Sequence, residues 1–514
     1  MSNDKVLMQV VKGAGLLFFG TLFVYIIKFI YRIIVSRYLG PSDYGLLSLG
    51  DGIFNIISLL AMLGLSAGGA VKFVSHYLGR NQLEKVKGTI ISVFKVTIPF
   101  SILITILTIV FSQYISIGIF KNSELVPIVV IFSLAVPFYI FSNICANIFI
   151  AFKKVQYRNY LTALTRPISS IILIFLVVLF KGNIFHIALS FLISHILPFF
   201  LGFYLLEFKT FSLIKSKFKA KYNLKELISY SLPLFLSGFF LATMGWIDSF
   251  FLGALKTTYD VGIYSIALSL VSTLTIFISA FGKIYFPISS KLYAKKEYSR
   301  INSIYSSISR WIFLLCLPLF IIILIFAKDI LVILFGSAYG VGAVALQILI
   351  LAYLVKGFVG PAPEALMTLN KTKLLFYVNS IMAVLNMIFN YFLIPLLGVM
   401  GAAIATSSSI IIRECIFFLI VKCELNFSFD LKIYTKYFIS ALIPSFLIYF
   451  TKSFFNEINL IILIMLIIIY GILYGIFLRL LLSFTDDDLF IVNAIEKKTK
   501  VNLSFIKKFI NIKK

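Results

Sequence analysis

Apolar runs of about twenty residues, separated by short connectors, recur from one end of this chain to the other. A helix needs about that length to cross the hydrocarbon layer of a bilayer. About fourteen such runs can be read, from 13–36 at the start to 459–482 near the end. Little chain is left between them, so no large domain outside the membrane is expected. The runs are unbroken rather than alternating in polarity, which favours helices over barrel strands. Composition points the same way: 61% of residues are hydrophobic and 13% charged, whereas soluble domains carry about 25% charged residues. A soluble enzyme, a disordered scaffold and a secreted disulfide protein are therefore excluded as classes. Cys145, Cys316, Cys415 and Cys423 lie in or beside apolar stretches without metal-ligand spacing and read as small hydrophobes. The first residues lack the pattern of a cleaved leader, so the first run is expected to act as an uncleaved insertion signal.

The formal net charge of +26 needs a separate explanation. In a soluble protein it would suggest nucleic acid; here no nucleic-acid partner is expected, because the basic residues follow topology. Alternate connectors carry Lys72, Arg80, Lys85 and Lys87, then Lys153, Lys154 and Arg158, then Lys283, Lys291, Lys295, Lys296 and Arg300. The intervening connectors hold only single basic residues such as Lys121, Lys181, Lys256 and Lys452. Cytoplasmic loops collect Lys and Arg, so the expectation is a multi-pass protein of the cytoplasmic membrane with both termini inside. The connector 209–226 is the most basic and reads as a link facing anionic lipid.

That connector separates two halves that begin alike. SRYLGPSDYGLLSLGDGIFNI in the first half and SFFLGALKTTYDVGIYSIALSLV in the second share Leu-Gly, a polar loop, Asp, one residue, Gly and then Ser three residues on. Asp43, Gly45 and Ser48 match Asp260, Gly262 and Ser265. Internal repeats of this kind are common in secondary transporters, with substrate bound between the repeats. The expected division is a six-helix bundle over 1–208, the linker 209–226, a second bundle over 227–421, two accessory helices over 422–484 and an amphipathic cytoplasmic tail over 485–514.

With these residues the chain resembles the polysaccharide-unit flippases of the MOP superfamily. The resemblance is carried by YLGPSDYGLLSL (38–49), LGLSAGGAVKFVSHYLGRNQ (63–82), YSLPLFLSGFFLATMGWIDSFFLG (230–253), YDVGIYSIALSL (259–270), FPISSKLYAKKE (286–297), LFGSAYGVGAVALQIL (334–349) and GVMGAAIATSSS (398–409). Lipid II flippases and multidrug and toxin extrusion antiporters are relatives within that superfamily. The resemblance implies an all-α membrane fold of two six-helix bundles forming a V around a central cavity, plus two C-terminal helices. It also implies alternating-access transport of a lipid-linked sugar, and no enzymatic chemistry.

Charges inside the apolar runs point to where such a substrate would bind, since each costs about 2.5–3.5 kcal/mol at a helix centre. Lys28 and Arg32 lie four residues apart, on one face of the first helix. A guanidinium and an ammonium together suit a diphosphate. Asp51 and Asp248 are the acids placed to pair with them or to take up a coupling ion. Lys356 and Glu364 flank the broken sequence KGFVGPAPE and would share a face if that helix continued. Ser48 and Asn55 could meet sugar hydroxyls. Arg166 stands one turn inside the fifth run. Arg413 and Glu414 are expected to form a structural pair, and His186 and His195 to be packed or interfacial.

The leading expectation is therefore a monomeric flippase that moves a polyprenyl-diphosphate-linked oligosaccharide from the cytoplasmic to the outer leaflet. Membrane lipids and glycan-assembly proteins would be its neighbours. The coupling ion, H⁺ or Na⁺, is not specified, and neither a cofactor nor a metal is called for. Two alternatives stay open: an ion-coupled multidrug or metabolite antiporter, and a lipid II flippase for cell-wall synthesis.

Overall fold

The computed structural model describes residues 3–215, 217–425, 431–455 and 457–481; within these, the side chains of 3–22, 234, 236, 237 and 240–242 are not described. The tail expected over 485–514 lies outside them. Every secondary-structure element among the described residues is helical. Twelve of these helices are long and apolar enough to cross a membrane by length and composition, so the chain is a multi-pass membrane protein.

The runs 13–36 and 44–66 were expected to be separated by a loop. Instead α1 (Asn3–Met62) passes through both, bent where Gly40 adopts φ 76°, ψ 177°. Only glycine enters that conformation without strain. Pro41 follows at once, with its fixed φ suited to the first turn of a helix. The bend is held from outside, since the Tyr38 hydroxyl donates to the Gly182 carbonyl at 2.6 Å.

The other helices are α2 (Val71–Gly79), α3 (Leu83–Val110), α4 (Leu125–Leu134), α5 (Val136–Ala151), α6 (Val155–Asn159), α7 (Arg166–Leu179) and α8 (Ile184–Tyr204), then α9 (Leu224–Leu255) and α10 (Thr258–Ala294). They are followed by α11 (Tyr298–Ile325), α12 (Ala327–Phe335), α13 (Ala343–Val359), α14 (Ala362–Thr368), α15 (Thr372–Leu397), α16 (Val399–Leu425), α17 (Leu431–Lys452) and α18 (Leu460–Leu480). The chain clusters into two compact units. The first comprises Met1–Ile266 and Met387–Ala402, the second Ala267–Asn386 and Ala403–Lys514.

In the first unit, α1 packs on α4, α5, α7 and α9. Small residues set these approaches, as in membrane bundles generally. A Cβ on Gly50 would press into Ile128 and Phe132, and one on Gly52 into Phe250 and Trp246. The two glycines matched by the internal repeat meet each other's segments. A Cβ on Gly45 would collide with the carbonyl oxygen of Thr258 and come within 3.0 Å of the Gly262 nitrogen. A Cβ on Gly262 would collide with the carbonyl oxygen of Pro41. Two backbones therefore touch where two side chains are missing.

Four π-helical segments also lie in the first unit: Leu65–Ala70, Tyr114–Ile119, Tyr160–Thr165 and Leu205–Thr210. Such turns are rare and often occur at functional positions. The linker is fastened rather than loose. The Glu207 carboxylate accepts from the Ser212 hydroxyl and from the backbone N–H groups of Leu213 (2.7 Å) and Ile214 (3.1 Å). Further on, Lys221 pairs with Glu84 at 3.0 Å, and the Asn223 amide donates to the Tyr77 hydroxyl at 2.9 Å.

In the second unit, α11 is the central helix, packed on α13 and on the accessory helix α17, which in turn packs on α18. The Tyr474 hydroxyl of α18 donates to the Leu314 carbonyl of α11 at 2.9 Å. Lys452, at the end of α17, pairs with Asp329 at 2.5 Å and donates to the Ile325 carbonyl at 3.1 Å. These contacts attach the accessory pair to the unit by its polar ends as well as by apolar packing.

Candidate functional site

The bend in α1 determines which charges meet. Lys28 and Arg32 lie one turn apart before Gly40, while Asp51 and Asn55 lie one turn apart after it. Both pairs belong to the same helix, yet the bend brings them into electrostatic range of each other. Lys28, Arg166 and Arg32 all act on the Asp51 carboxylate. The short-range partner of Asp51 is Asn55, whose amide donates to Asp51 Oδ1 at 3.1 Å and to the Asp51 carbonyl at 2.6 Å. Ser48 is hydrogen-bonded to Tyr44 in the same turn region.

Arg166 enters this group from α7. The π-helical segment Tyr160–Thr165 delivers it, with the Thr165 hydroxyl donating back to the Tyr160 carbonyl at 2.6 Å. Its guanidinium lies over the Tyr139 ring of α5, 5.2 Å from the centroid, a favourable cation–π geometry. His195 of α8 closes the group. Its Nδ1 donates to the Phe191 carbonyl at 2.7 Å, which leaves Nε2 as a buried acceptor without a protein partner among the described residues. The imidazole is wedged among Phe191, Phe54 and Tyr139, with centroids 4.5, 5.2 and 5.8 Å away.

Three cations thus lie within electrostatic range of one carboxylate, a surplus of two positive charges among these four residues. Lys28 is exposed on α1. Such a cationic group, with the Tyr139 ring beside it, suits an anion carrying about two negative charges and many acceptor oxygens.

Asp248 is placed differently. It is 2% exposed and takes the Tyr264 hydroxyl on Oδ2 and the Asn390 amide on Oδ1, both at 2.6 Å. The carboxylate that acts on Lys28 is Asp51. Asp248 instead joins α9, α10 and α15 through strong hydrogen bonds to a buried acid.

Lys356 and Glu364 lie in the second unit, and the helix between them does not continue. It stops at Val359, Gly360 takes φ 80°, and α14 starts at Ala362. Gly360 and the two prolines Pro361 and Pro363 account for the break. The Tyr305 hydroxyl captures the released Val359 carbonyl at 2.7 Å, so the face expected to carry both charges is interrupted. Lys356 is still influenced by Glu414, Glu364 and Arg413. Arg413 pairs with the buried Glu414 at 2.7 Å. Two cations and two carboxylates balance here, in contrast to the surplus around Asp51.

Sequence reasoning gave Arg166 no specific role. Its signal was an Arg-Pro step one turn inside an apolar run, but its partners come from α1 and α5, which no local pattern reveals. His186, by contrast, caps its own helix: Asn183 Oδ1 accepts from the Phe185 and His186 N–H groups, and the Asn183 N–H donates to His186 Nδ1 at 3.2 Å.

Comparison with known proteins places this geometry in context. Residues 10–293, more than half of the chain, match the family described as polysaccharide biosynthesis protein, and residues 233–392 match the MatE family. An uncharacterized membrane protein of Methanocaldococcus jannaschii is 24% identical over 74% of this chain and 77% of its own length. The probable low-salt glycan biosynthesis flippase Agl15 of Haloferax volcanii is 31% identical over 38% of this chain, which spans only 41% of that relative. Among solved structures, the lipid II flippase MurJ in an inward closed conformation superposes with a TM-score of 0.67 at 19% identity, covering 90% of this chain and 99% of MurJ. An inward-facing multidrug resistance MATE transporter of the MOP superfamily gives 0.66 at 15% identity, over 78% and 94%. At such identities the likeness establishes the fold.

Proposed function

Because this chain belongs to the polysaccharide biosynthesis protein family, we propose that it is a flippase for a lipid-diphosphate-linked oligosaccharide, carrying it from the cytoplasmic to the outer leaflet by alternating access. The observation that carries this reading is that Lys28, Arg32 and Arg166 lie within electrostatic range of one acid, Asp51, among the described residues, with Arg166 brought there by the packing of α7 on α1. A diphosphate supplies the two negative charges that the cluster lacks, the guanidinium groups can engage its oxygens in pairs, and Lys28 acts as a point charge. Relatives named as glycan flippases support the substrate class. An antiporter for cationic drugs is less well served, since the cationic group would repel its substrate. A lipid II carrier shares the diphosphate and is separated by the sugar it bears.

The same proposal includes the cytoplasmic membrane as location, both termini inside, a monomeric state, fourteen spans in two six-helix halves plus two accessory helices, and secondary contacts from Ser48, Asn55, Lys356 and Glu364. Asp248 is assigned to coupling with H⁺ or Na⁺, as a buried carboxylate that takes hydrogen bonds from a hydroxyl and an amide.

The test is reconstitution into liposomes with a fluorescent lipid-diphosphate-linked sugar, followed by quenching from outside. The parent chain should scramble or pump the lipid between leaflets, and an imposed ion gradient should change its rate. Asp248→Asn should remove the gradient response. Liposomes in which the labelled lipid moves no faster than in protein-free controls would sink the flippase reading; an Asp248→Asn protein that still responds to the gradient would sink only the coupling role.

A further inference from the structure

We propose that α5 carries a carbohydrate subsite formed by Asn143 and Asn147, propped by Ser66, which reads the sugar attached to the diphosphate. This rests on the diphosphate reading above and extends it along the helix. Tyr139, Asn143 and Asn147 are spaced four apart and so share a face, one turn at a time. Tyr139 holds the Arg166 guanidinium over its ring. The two amides therefore extend about 6 and 12 Å along the axis from the cation cluster, toward the Lys153 and Lys154 end.

The amides are fixed by one another. The Ser66 hydroxyl donates to Asn143 Oδ1 at 3.2 Å, and Asn147 Nδ2 donates to the same oxygen at 2.9 Å, to Ser66 Oγ at 2.9 Å and to the Asn143 carbonyl at 3.1 Å. Ser66 itself sits on the π-helical segment Leu65–Ala70, which packs on α5. These bonds use the acceptor of Asn143 and the donor of Asn147. They leave Asn143 Nδ2 as a donor and Asn147 Oδ1 as an acceptor, neither with a protein partner among the described residues and neither buried from solvent.

Every residue of α5 is buried or half-buried, none fully exposed. Open amide atoms facing lipid would go unsatisfied at a cost of several kcal/mol, which favours an orientation toward the interior of the bundle. One fixed donor beside one fixed acceptor is the complement of a pair of sugar hydroxyls, each of which both gives and accepts a hydrogen bond. An amide network already locked in place binds without ordering cost. Were the network only glue between helices, nothing would require an open donor and an open acceptor to remain side by side.

The experiment compares two probes on the purified full-length chain: a short-chain polyprenyl diphosphate, and the same lipid bearing one N-acetylglucosamine. The parent should bind the sugar-bearing probe about tenfold tighter, the sum of two net hydrogen bonds. Asn143→Ala and Asn147→Ala should each reduce that preference, and together abolish it, with the affinity for the sugar-free probe unchanged. Ser66→Ala should give an intermediate loss. Unchanged affinity for the sugar-free probe also shows that the variants are folded. Variants that keep the preference, or that weaken both probes equally, would overturn the subsite. A parent chain that binds neither probe overturns the diphosphate reading on which it stands.

Discussion

Removing Lys28, Arg32 and Arg166 together should slow flipping of a lipid-diphosphate-linked sugar by at least about a hundredfold. Hydrogen bonds to charged groups contribute about 1.5–3 kcal/mol each, and the variant loses three cationic donors at once. The informative companion is Asp51→Asn. If the cations exist to neutralise Asp51, its removal leaves buried positive charge without a partner and the protein is destabilised, with no gain for any ligand. If they exist for a diphosphate, Asp51 competes with the substrate, and its removal tightens diphosphate binding while slowing release. Only the second account predicts a gain in affinity for a sugar-free polyprenyl diphosphate. Arg166→Lys adds a third arm, because a lysine retains the charge over Tyr139 and loses the planar fork; binding should fall by about tenfold or less. A triple variant that flips at the parent's rate, or an Asp51→Asn protein with weaker diphosphate binding, would remove the cluster from the transport path.

A second large effect is expected far from any charge. Gly45→Ala and Gly262→Ala should each destabilise the protein by about 3 kcal/mol, the upper part of the usual range for overpacking. The added methyl meets a backbone carbonyl of the opposing segment, and a backbone cannot rotate away as a side chain can. The double variant should cost less than the sum, since both changes push the same two segments apart. Gly471→Ala is the control. It lies in α18 with nothing within 4 Å of the added Cβ and should be neutral or stabilising by up to about 1 kcal/mol, as for glycine in a helix interior. Thermal unfolding of the purified chain in one detergent gives all four values. Equal melting temperatures for Gly45→Ala and Gly471→Ala would show that the close approach of the two segments does not contribute to stability.

Local chemistry explains what could be seen in advance. Unbroken apolar runs announce helices because lipid allows a lone spanning segment no other structure. The helix break near Gly360 is visible in a Gly-Pro-Ala-Pro string, and the shared face of Lys28 and Arg32 follows from their spacing. What stayed hidden depends on contacts remote in sequence. Asp248 finds Asn390 from 142 positions away, a partnership that could not be read from the string. Arg166 comes within electrostatic range of Asp51 because α7 packs on α1. The polar loop expected between the runs 13–36 and 44–66 is a one-residue kink for a local reason: Gly40 alone makes the bend and Pro41 restarts the helix.

The reciprocal contact between the repeats has one further implication. Gly45 meets the backbone of Thr258, four positions before Gly262, and Gly262 meets the backbone of Pro41, four positions before Gly45. Residue a of one copy touches residue b of the other, and b touches a, which is the rule for an isologous dimer interface. A single chain here carries the local dyad that two identical subunits would generate. An ancestor half as long, pairing with itself through this patch, would have made the same contact, and half-length chains of each repeat, expressed together, are the place to look for its trace.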